Sequence, residues 1–283
     1  MSVWMPTFYP DFRCRAGACG HSCCKGWEID VDESSAARYR ALPGTLGEEL
    51  RAALICDAEG WHFRLTEQER CPFLQPDGLC RLIRELGEDA LCDICALHPR
   101  FFQSWGEDEL WGVGLSCEAA AALLLERELR FSCPETGETR TFPELLERLG
   151  IAFPPELLRC RVRVNGERKR EVLSRFRDTE PIDEHWPQEL DTLAAAPLPP
   201  EEESPKYQRV YEYILYRQIE RMEEVPPRQL AAYARLSTDL IALWDALEPD
   251  TAEHLRRWSE QIEYSTENVD RLLAAQASSD TAS

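Results

Sequence analysis

The sequence predicts a mainly α-helical protein with a small, mixed α/β, Cys-rich module at its N-terminus and without a Rossmann fold. Ten of the twelve cysteines lie between Cys14 and Cys117, and three long amphipathic stretches follow residue 205. No glycine-rich strand–turn–helix fingerprint and no βαβ periodicity occur. These observations predict a Cys-rich module over residues 1–133 and a helical domain over residues 134–283, with a proline- and acid-rich linker near 196–205.

The N-terminal module is expected to consist of short elements separated by turns. The sequence GWEIDVD (26–32) is typical of a strand, and Asp32 has the position of an N-cap for the helix after it. A Pro-Asp-Gly turn between Cys71 and Cys80 folds the chain back and brings these two thiols together. The stretches FFQSW and ELWGVGL predict a hairpin over residues 101–115.

The helical domain is predicted from hydrophobic patterns of helical period, separated by Pro, Gly or Asn. Helices are expected over residues 142–149, 154–164 and 166–178. Beyond the linker, three long amphipathic helices are expected, and each begins just after a proline.

The charge balance excludes some classes of partner. The chain has 52 Asp and Glu against 32 Lys and Arg, a formal net charge of −20. Phosphate binding needs clustered Lys and Arg, so this balance argues against a nucleic-acid partner. The longest apolar run, residues 119–125, is far too short to span a bilayer, and the first residues do not resemble a signal peptide. We therefore expect a cytoplasmic protein without membrane contact, in a compartment that keeps thiols reduced.

Nine cysteines have the spacing of metal ligands. Four lie in CRAGACGHSCC, where two glycines permit tight turns, two flank the Pro-Asp-Gly turn, and two form a C-x2-C pair. The ninth opens a helix, where the macrodipole favours a thiolate. The nine candidate ligands are Cys14, Cys19, Cys23, Cys24, Cys71, Cys80, Cys92, Cys95 and Cys117.

Three kinds of thiol chemistry compete for this pattern. Disulfides fit an even number of cysteines, but not a chain of this length without a signal peptide. Structural zinc takes four ligands per ion, so nine thiols suffice for two sites with one to spare. An iron–sulfur cluster also suits thiol-rich sites with few carboxylate ligands. The spacing thus predicts metal binding and leaves zinc and iron open.

The cysteine motifs resemble a known family. The pattern C-x4-C-x3-CC, followed by CPFL, DGLC and C-x2-HPR, is similar to the CxxCxxCC family of zinc- or iron-chelating domains. The stretches FYPDFRC, CCKGWEIDVD, LCDICALHPR and GLSCEAAAALLLE resemble its flagellin lysine N-methylase branch. The resemblance covers residues 8–130 and, less specifically, 207–273. Cys92 and Cys117 match the branch alone, whereas the other seven candidate ligands match the wider family.

The resemblance implies transfer of methyl groups from S-adenosylmethionine to lysines of flagellin, with a [4Fe-4S] cluster held by these cysteines. Zinc is the alternative metal. A non-catalytic zinc- or iron-chelating or Fe–S protein is the alternative function. Cys56, Cys133 and Cys160 match neither pattern, and small buried apolar positions suit them.

Lysine methylation requires a neutral amine, and free lysine has a pKa of about 10.4. The site must therefore remove a proton by desolvation or through a base, which the motifs do not identify. His98, beside Cys95, is either a ligand or base or a residue that caps a turn. His21, inside the first cysteine loop, suits a solvated position better than a ligand.

Four further residues are candidates for binding the methyl donor or the lysine. Arg100 would meet the donor's carboxylate if an open cluster iron binds the amino-acid end of the donor. Tyr213 and Tyr216 fall on one side of a helix, with Arg217 adjacent. The pattern is compatible with core tyrosines, which we favour, and with a polar-aromatic wall for a lysine stem and its ammonium.

Overall fold

The computed structural model describes residues 2–201 and 203–277. About 52% of the described residues are helical, and the small sheets are of mixed type, so the expectation of a mainly α protein with some β structure is confirmed. In the described part of the chain, no helix combines the length and the apolar character needed to cross a membrane.

The elements follow one another in short succession. The strands are β1 (Val3–Pro6), β2 (Ile29–Val31), β3 (Leu54–Cys56), β4 (Trp61–Phe63), β5 (Arg100–Trp105), β6 (Asp108–Val113), β7 (Phe131–Cys133) and β8 (Glu138–Arg140). The helices are α1 (Glu33–Ala41), α2 (Gly44–Ala53), α3 (Arg81–Leu86), α4 (Asp93–Leu97), α5 (Glu118–Glu126), α6 (Phe142–Arg148), α7 (Gly166–Arg177), α8 (His185–Ala195), α9 (Pro205–Tyr216), α10 (Pro227–Leu247), α11 (Thr251–Trp258) and α12 (Thr266–Ala277). A π-helical turn, Ser259–Glu263, follows α11.

Two compact units share the chain. The cysteine unit is Arg13–Arg100, and the helical unit comprises Met1–Phe12 and Phe101–Ser283. These bounds differ from the division near residue 133 that the sequence predicts, because β1 pairs with strands that follow residue 100. The described residues of the proline- and acid-rich segment near 196–205 lie within the helical unit, between α8 and α9.

The sheet of the helical unit is organised around its first strand. Its order is β5-β6-β1-β7-β8. β1 pairs in parallel with β6, with Val3 opposite Glu109, and antiparallel with β7, with Met5 opposite Ser132. The N-terminal strand is therefore held by residues more than a hundred positions away.

The helices of this unit pack around α10. α10 contacts α7, α8, α9, α11 and α12. It is buried around its whole circumference, since every residue from Leu236 to Trp244 is buried. A helix that is buried on all sides belongs at the centre of a bundle, and the more amphipathic α9 and α11 cover it.

The helix predicted over residues 154–164 is wrong. A short 3-10 turn, Pro155–Leu157, is followed by extended chain. Cys160, Val162 and Val164 are buried, whereas the arginines between them are exposed. This alternation has the period of two that extended chain requires, and it overrides the helical composition.

The cysteine unit has a three-stranded antiparallel sheet of order β2-β4-β3. Its core contains Ile29, Tyr39, Leu50, Phe63 and Phe73. As the sequence predicts, α1 begins at Asp32, whose carboxylate accepts a hydrogen bond from the Ser35 backbone N–H at 2.8 Å.

Candidate metal centre

Eight of the nine candidate ligands lie in the cysteine unit, and no disulfide joins any of the described cysteines. Four are on the loop before β2, two flank the turn before α3, and two are at the start of α4. The unit therefore draws its thiols from three separate segments, which its fold must bring together.

The loop that holds Cys14 and Cys19 packs against the Pro-Asp-Gly turn. A Cβ on Gly17 would lie 2.7 Å from the backbone oxygen of Asp77, and one on Gly78, which has φ +77°, would lie 3.1 Å from the Cα of Gly17. Glycine is thus required by space at the first position and by both space and backbone conformation at the second.

Backbone hydrogen bonds bring Cys24 beside Cys71 and Cys71 beside Cys80. The Cys71 N–H donates to the Cys24 carbonyl at 2.8 Å. A β-bridge joins Leu74 to Cys80, so the turn returns the chain beside Cys71 as the sequence predicts. The backbone N–H of Arg81 donates to the Phe73 carbonyl at 2.9 Å and fixes the start of α3.

Cys92 and Cys95 are placed by a short helix that is anchored to the sheet. Cys92 is the N-cap of α4, and Cys95 lies one turn further on. The second carboxylate oxygen of Asp32 accepts a hydrogen bond from the Asp93 N–H at 3.0 Å, so one side chain caps both α1 and α4. Burial opposes the charge of Asp32, but these hydrogen bonds outweigh it and hold its pKa well below the usual range.

Five thiols collect in one small core. Cys71 and Cys92 are buried in the core of the cysteine unit, and Cys24, Cys80 and Cys95 pack against it half-buried. Of the three other candidate ligands in this unit, Cys14 and Cys23 are exposed and Cys19 is half-buried. We call the five the thiol cluster.

The members of the thiol cluster shift one another's protonation. A hydrogen bond with its neighbour in the vicinal pair lowers the pKa of Cys24 to about 7, and a hydrogen bond with Cys95 lowers the pKa of Cys92. The same bond raises the pKa of Cys95, while burial raises the pKa of Cys71 to about 12 and also raises that of Cys80. Negative charge on Cys24 further raises the pKa values of Cys95, Cys71 and Cys80. Ionising all five thiols therefore requires a compensating cation.

The thiol cluster fits a soft-metal centre in donor type, number and burial. Four thiolates hold one iron–sulfur cluster or one structural zinc ion, and the cluster offers five. The sulfurs are not preassembled, since no three His, Cys, Asp or Glu within residues 2–201 and 203–277 form a ready ligand arrangement. When bound, a metal would compensate the thiolate charge and, as iron, add a redox or donor-binding centre.

The other predicted residues of this unit lie around the end of α4. His98 caps the helix, and its ring centroid is 6.1 Å from that of Trp27. Burial lowers the pKa of His98, which favours the neutral imidazole. Arg100 is half-buried at the first position of β5, and its contact with a donor carboxylate stays a prediction. His21 is exposed.

Cys117 lies in the helical unit, half-buried as the N-cap of α5. The other eight candidate ligands belong to the cysteine unit, and the participation of Cys117 in the same centre stays a prediction. Among the cysteines expected at buried apolar positions, Cys133 and Cys160 are buried. Cys56, in contrast, is exposed at the end of the short edge strand β3, and that expectation is wrong.

Tyr213 and Tyr216 form part of the core, and Arg217 is half-buried next to them, which speaks against the cofactor-binding role considered for them. Both tyrosine side chains have no exposed surface. The Tyr213 hydroxyl donates to the Val113 carbonyl at 2.7 Å and accepts from its N–H at 2.9 Å. The Arg217 guanidinium pairs with Glu263 at 3.0 Å. Their polar atoms already have protein partners, so neither a lysine nor a methyl donor can reach them without rearrangement.

Two groups of titratable residues in the helical unit carry no sequence motif. Asp245 and His254 form a hydrogen-bonded pair, and Glu212 is a half-buried carboxyl whose pKa burial raises to about 7. The partners of Asp245 come from two other helices, so a single sequence contains no local signal for that pair. Glu212, in contrast, accepts a hydrogen bond from Gln208 one turn earlier on the same helix, so its spacing is a local signal.

The comparisons with known proteins point to one group. The chain is 28% identical over 131 residues to the protein named Flagellar biosynthetic protein FliU of Salmonella muenchen, which covers 44% of this chain and 78% of that protein. It is 28% identical over 131 residues to proteins named Lysine-N-methylase from Salmonella choleraesuis and Salmonella typhimurium, and here the match covers 33% of each.

The chain thus matches a third of the length of the two named methylases. No family model matches the chain, and no solved structure matches it significantly. Over these 131 residues, the comparisons confirm that the chain resembles the flagellin lysine N-methylase family.

Proposed function

We propose that this protein transfers methyl groups from S-adenosylmethionine to lysine side chains of flagellin. We further propose that its cysteine unit holds a [4Fe-4S] cluster through four of the thiols Cys24, Cys71, Cys80, Cys92 and Cys95. The similarity to two proteins named Lysine-N-methylase and to one named for flagellar biosynthesis supports the reaction and the substrate.

The convergence of five thiols from three segments in one core is the observation that carries the proposal. A stable fold of this size has no need of five buried or half-buried thiols in one place, and the repulsion between thiolates opposes their ionisation. A bound metal removes that repulsion and turns the thiol cluster into a stabilising centre. The net charge of −20 also agrees with attraction of a lysine-bearing substrate.

A methyl-transfer assay tests the reaction. Metal-loaded protein is incubated with methyl-labelled S-adenosylmethionine and flagellin, and label on flagellin lysines is the expected result. Flagellin with acetylated lysines is the control and should stay unlabelled. The lysines of this chain, Lys25, Lys169 and Lys206, are distinguished from the substrate by mass spectrometry. An intact metal centre without label on flagellin contradicts the proposed activity.

Metal analysis tests the centre independently. Protein purified without oxygen is expected to contain iron and acid-labile sulfide, and C71S and C92S should each lower the iron content. The matched control is C56S, because Cys56 is an exposed cysteine of the same unit that lies outside the thiol cluster. Zinc without sulfide would refute the iron–sulfur cluster and leave a zinc site.

A non-catalytic metal-binding protein is the second candidate function. The limited match to the two methylases, 33% of their length, favours it because much of those proteins has no counterpart in the alignment. Binding of S-adenosylmethionine, measured by calorimetry, separates the two functions. The methyltransferase must bind the donor, whereas a chelating module binds metal alone.

A further inference from the structure

A buried carboxylate connects three helices of the helical unit. Asp245, near the end of α10, has a side chain that is 6% exposed. One of its oxygens accepts hydrogen bonds from Lys206 Nζ at 2.7 Å, the Tyr207 hydroxyl at 2.9 Å and the Thr251 hydroxyl at 2.5 Å. The other oxygen is 2.7 Å from Nδ1 of His254 on α11. Burial opposes the charge, but these donors outweigh it and hold the pKa of Asp245 below its usual value.

The carboxylate fixes the tautomer and the orientation of the histidine. An ionised Asp245 can accept but not donate, so Nδ1 of His254 carries the proton and Nε2 has the lone pair. Trp244 stacks against the imidazole, with ring centroids 5.7 Å apart and planes 18° apart. Within residues 2–201 and 203–277, no group hydrogen-bonds to Nε2, and the side chain of His254, although mostly buried, is 12% exposed. The lone pair of Nε2 is therefore not taken up by any described group.

Three charged groups lie around His254. Asp245 on α10 is the anion in direct contact, and Lys206 on α9 is the cation that shares this anion. On α11 itself, Glu253 is engaged by Arg256 at 2.8 Å. An imidazole whose Nδ1 is held by a carboxylate has the orientation in which histidine serves as a general base through Nε2.

We infer that His254, oriented by Asp245, is the general base that deprotonates the substrate lysine. This inference rests on the proposed methyltransferase function. The N–H bond of the lysine ammonium breaks, its proton passes to Nε2, and its electron pair stays on the lysine nitrogen. That nitrogen then bonds to the methyl carbon of the sulfonium donor, whose C–S bond breaks with its electrons on sulfur. His254 afterwards releases its proton to solvent.

A purely structural role explains less of this arrangement. The hydrogen bond between His254 Nδ1 and Asp245 would be enough to hold α11 against α10. Lys206, Tyr207 and Thr251 already bind the Asp245 carboxylate. The main rival as base is Glu212 on α9, which accepts a hydrogen bond from Gln208 at 2.8 Å. A carboxyl with a pKa of about 7 also suits proton transfer, so the experiment must distinguish the two groups.

The test compares the pH dependence of kcat/KM for methyl transfer to flagellin in the wild type, H254Q and E212Q. H185Q is the matched control, because His185 is an exposed histidine of the same unit. We expect H254Q to lose about 100-fold or more in kcat/KM, together with the rise of activity from acidic to neutral pH. H185Q should keep both. Free imidazole should restore part of the activity to H254A, and the restored rate should follow the concentration of neutral imidazole, a dependence that refilling of a structural cavity does not predict.

Four outcomes overturn the inference. If the wild type is active and H254Q has the same activity, the inference is refuted and the proposed function stands. The same holds if E212Q loses the pH dependence and H254Q keeps it. A slow H254Q variant that keeps the wild-type pH dependence, with no imidazole rescue of H254A, shows that His254 is structural. A wild type that transfers no methyl group overturns the proposed function, and the inference with it.

Discussion

Replacement of Glu212 by glutamine should change the pH dependence of stability by a predictable amount. Glu212 is half-buried on α9, and Gln208 donates to one of its oxygens at 2.8 Å. Burial raises the pKa of the carboxyl from 4.5 to about 7. Because the folded state holds this proton more tightly than the unfolded state, the contribution of Glu212 to stability is complete below pH 4.5. It declines between pH 4.5 and 7 and is absent above.

The size of the effect follows from the shift. At 1.36 kcal/mol per pKa unit, the full shift corresponds to about 3.4 kcal/mol. Water reaches the second carboxylate oxygen, which lacks a partner in the described part of the chain, so we expect about 2 kcal/mol. E212Q keeps the side-chain volume and the oxygen that Gln208 binds, and it removes the titration.

The assay is urea unfolding followed by circular dichroism from pH 4.5 to pH 8. The free energy of unfolding of E212Q, minus that of the wild type, should increase by about 2 kcal/mol across this range. E147Q is the control, because Glu147 is exposed, and its difference from the wild type should stay constant. Parallel curves for E212Q and the wild type would refute a raised pKa at Glu212.

Three further substitutions test the packing of the two units. D32A should lower the free energy of unfolding by about 2 kcal/mol, because it removes the caps of both α1 and α4. D30A, at an exposed position, should change the free energy of unfolding little. Equal effects of the two substitutions in a thermal melt would contradict the double cap. Y213F should lower the free energy of unfolding by about 1–3 kcal/mol, because it leaves a buried carbonyl and N–H without their partner. Y233F should leave the free energy of unfolding unchanged, since the buried Tyr233 hydroxyl makes no hydrogen bond of good geometry. Urea unfolding of both variants tests this difference. E201Q should change stability by less than about 0.5 kcal/mol in the same assay, because its ion pairs with two arginines are exposed.

Local signals in the sequence predict much of the cysteine unit. The N-cap at Asp32 and the turn between Cys71 and Cys80 depend on residues only a few positions apart, and both occur as predicted. Turn chemistry and capping act over short distances and need no tertiary partner. The return of Cys80 to Cys71, on which the thiol cluster depends, could therefore be predicted.

Features that depend on distant partners could not be predicted. The strand β1 has four residues and no distinctive pattern, and it becomes a strand because β6 and β7 provide hydrogen-bonding partners. Residues 154–164 have the composition of a helix, but burial of alternate side chains makes the chain extended. The Asp245–His254 pair is likewise invisible, since Lys206 and Tyr207, which hold the same carboxylate, lie almost forty positions earlier.

The pairing of β1 with β6 and β7 also constrains the order in which the chain can fold. Residues 13–100 separate the two parts of the helical unit, so its central strand must wait for the chain beyond residue 100. Closing a disordered loop of that length costs about 4 kcal/mol in chain entropy. A cysteine unit that has already folded replaces this disordered loop by a compact insertion and removes part of that cost. The chain would then complete the cysteine unit first and the five-stranded sheet of the helical unit after it.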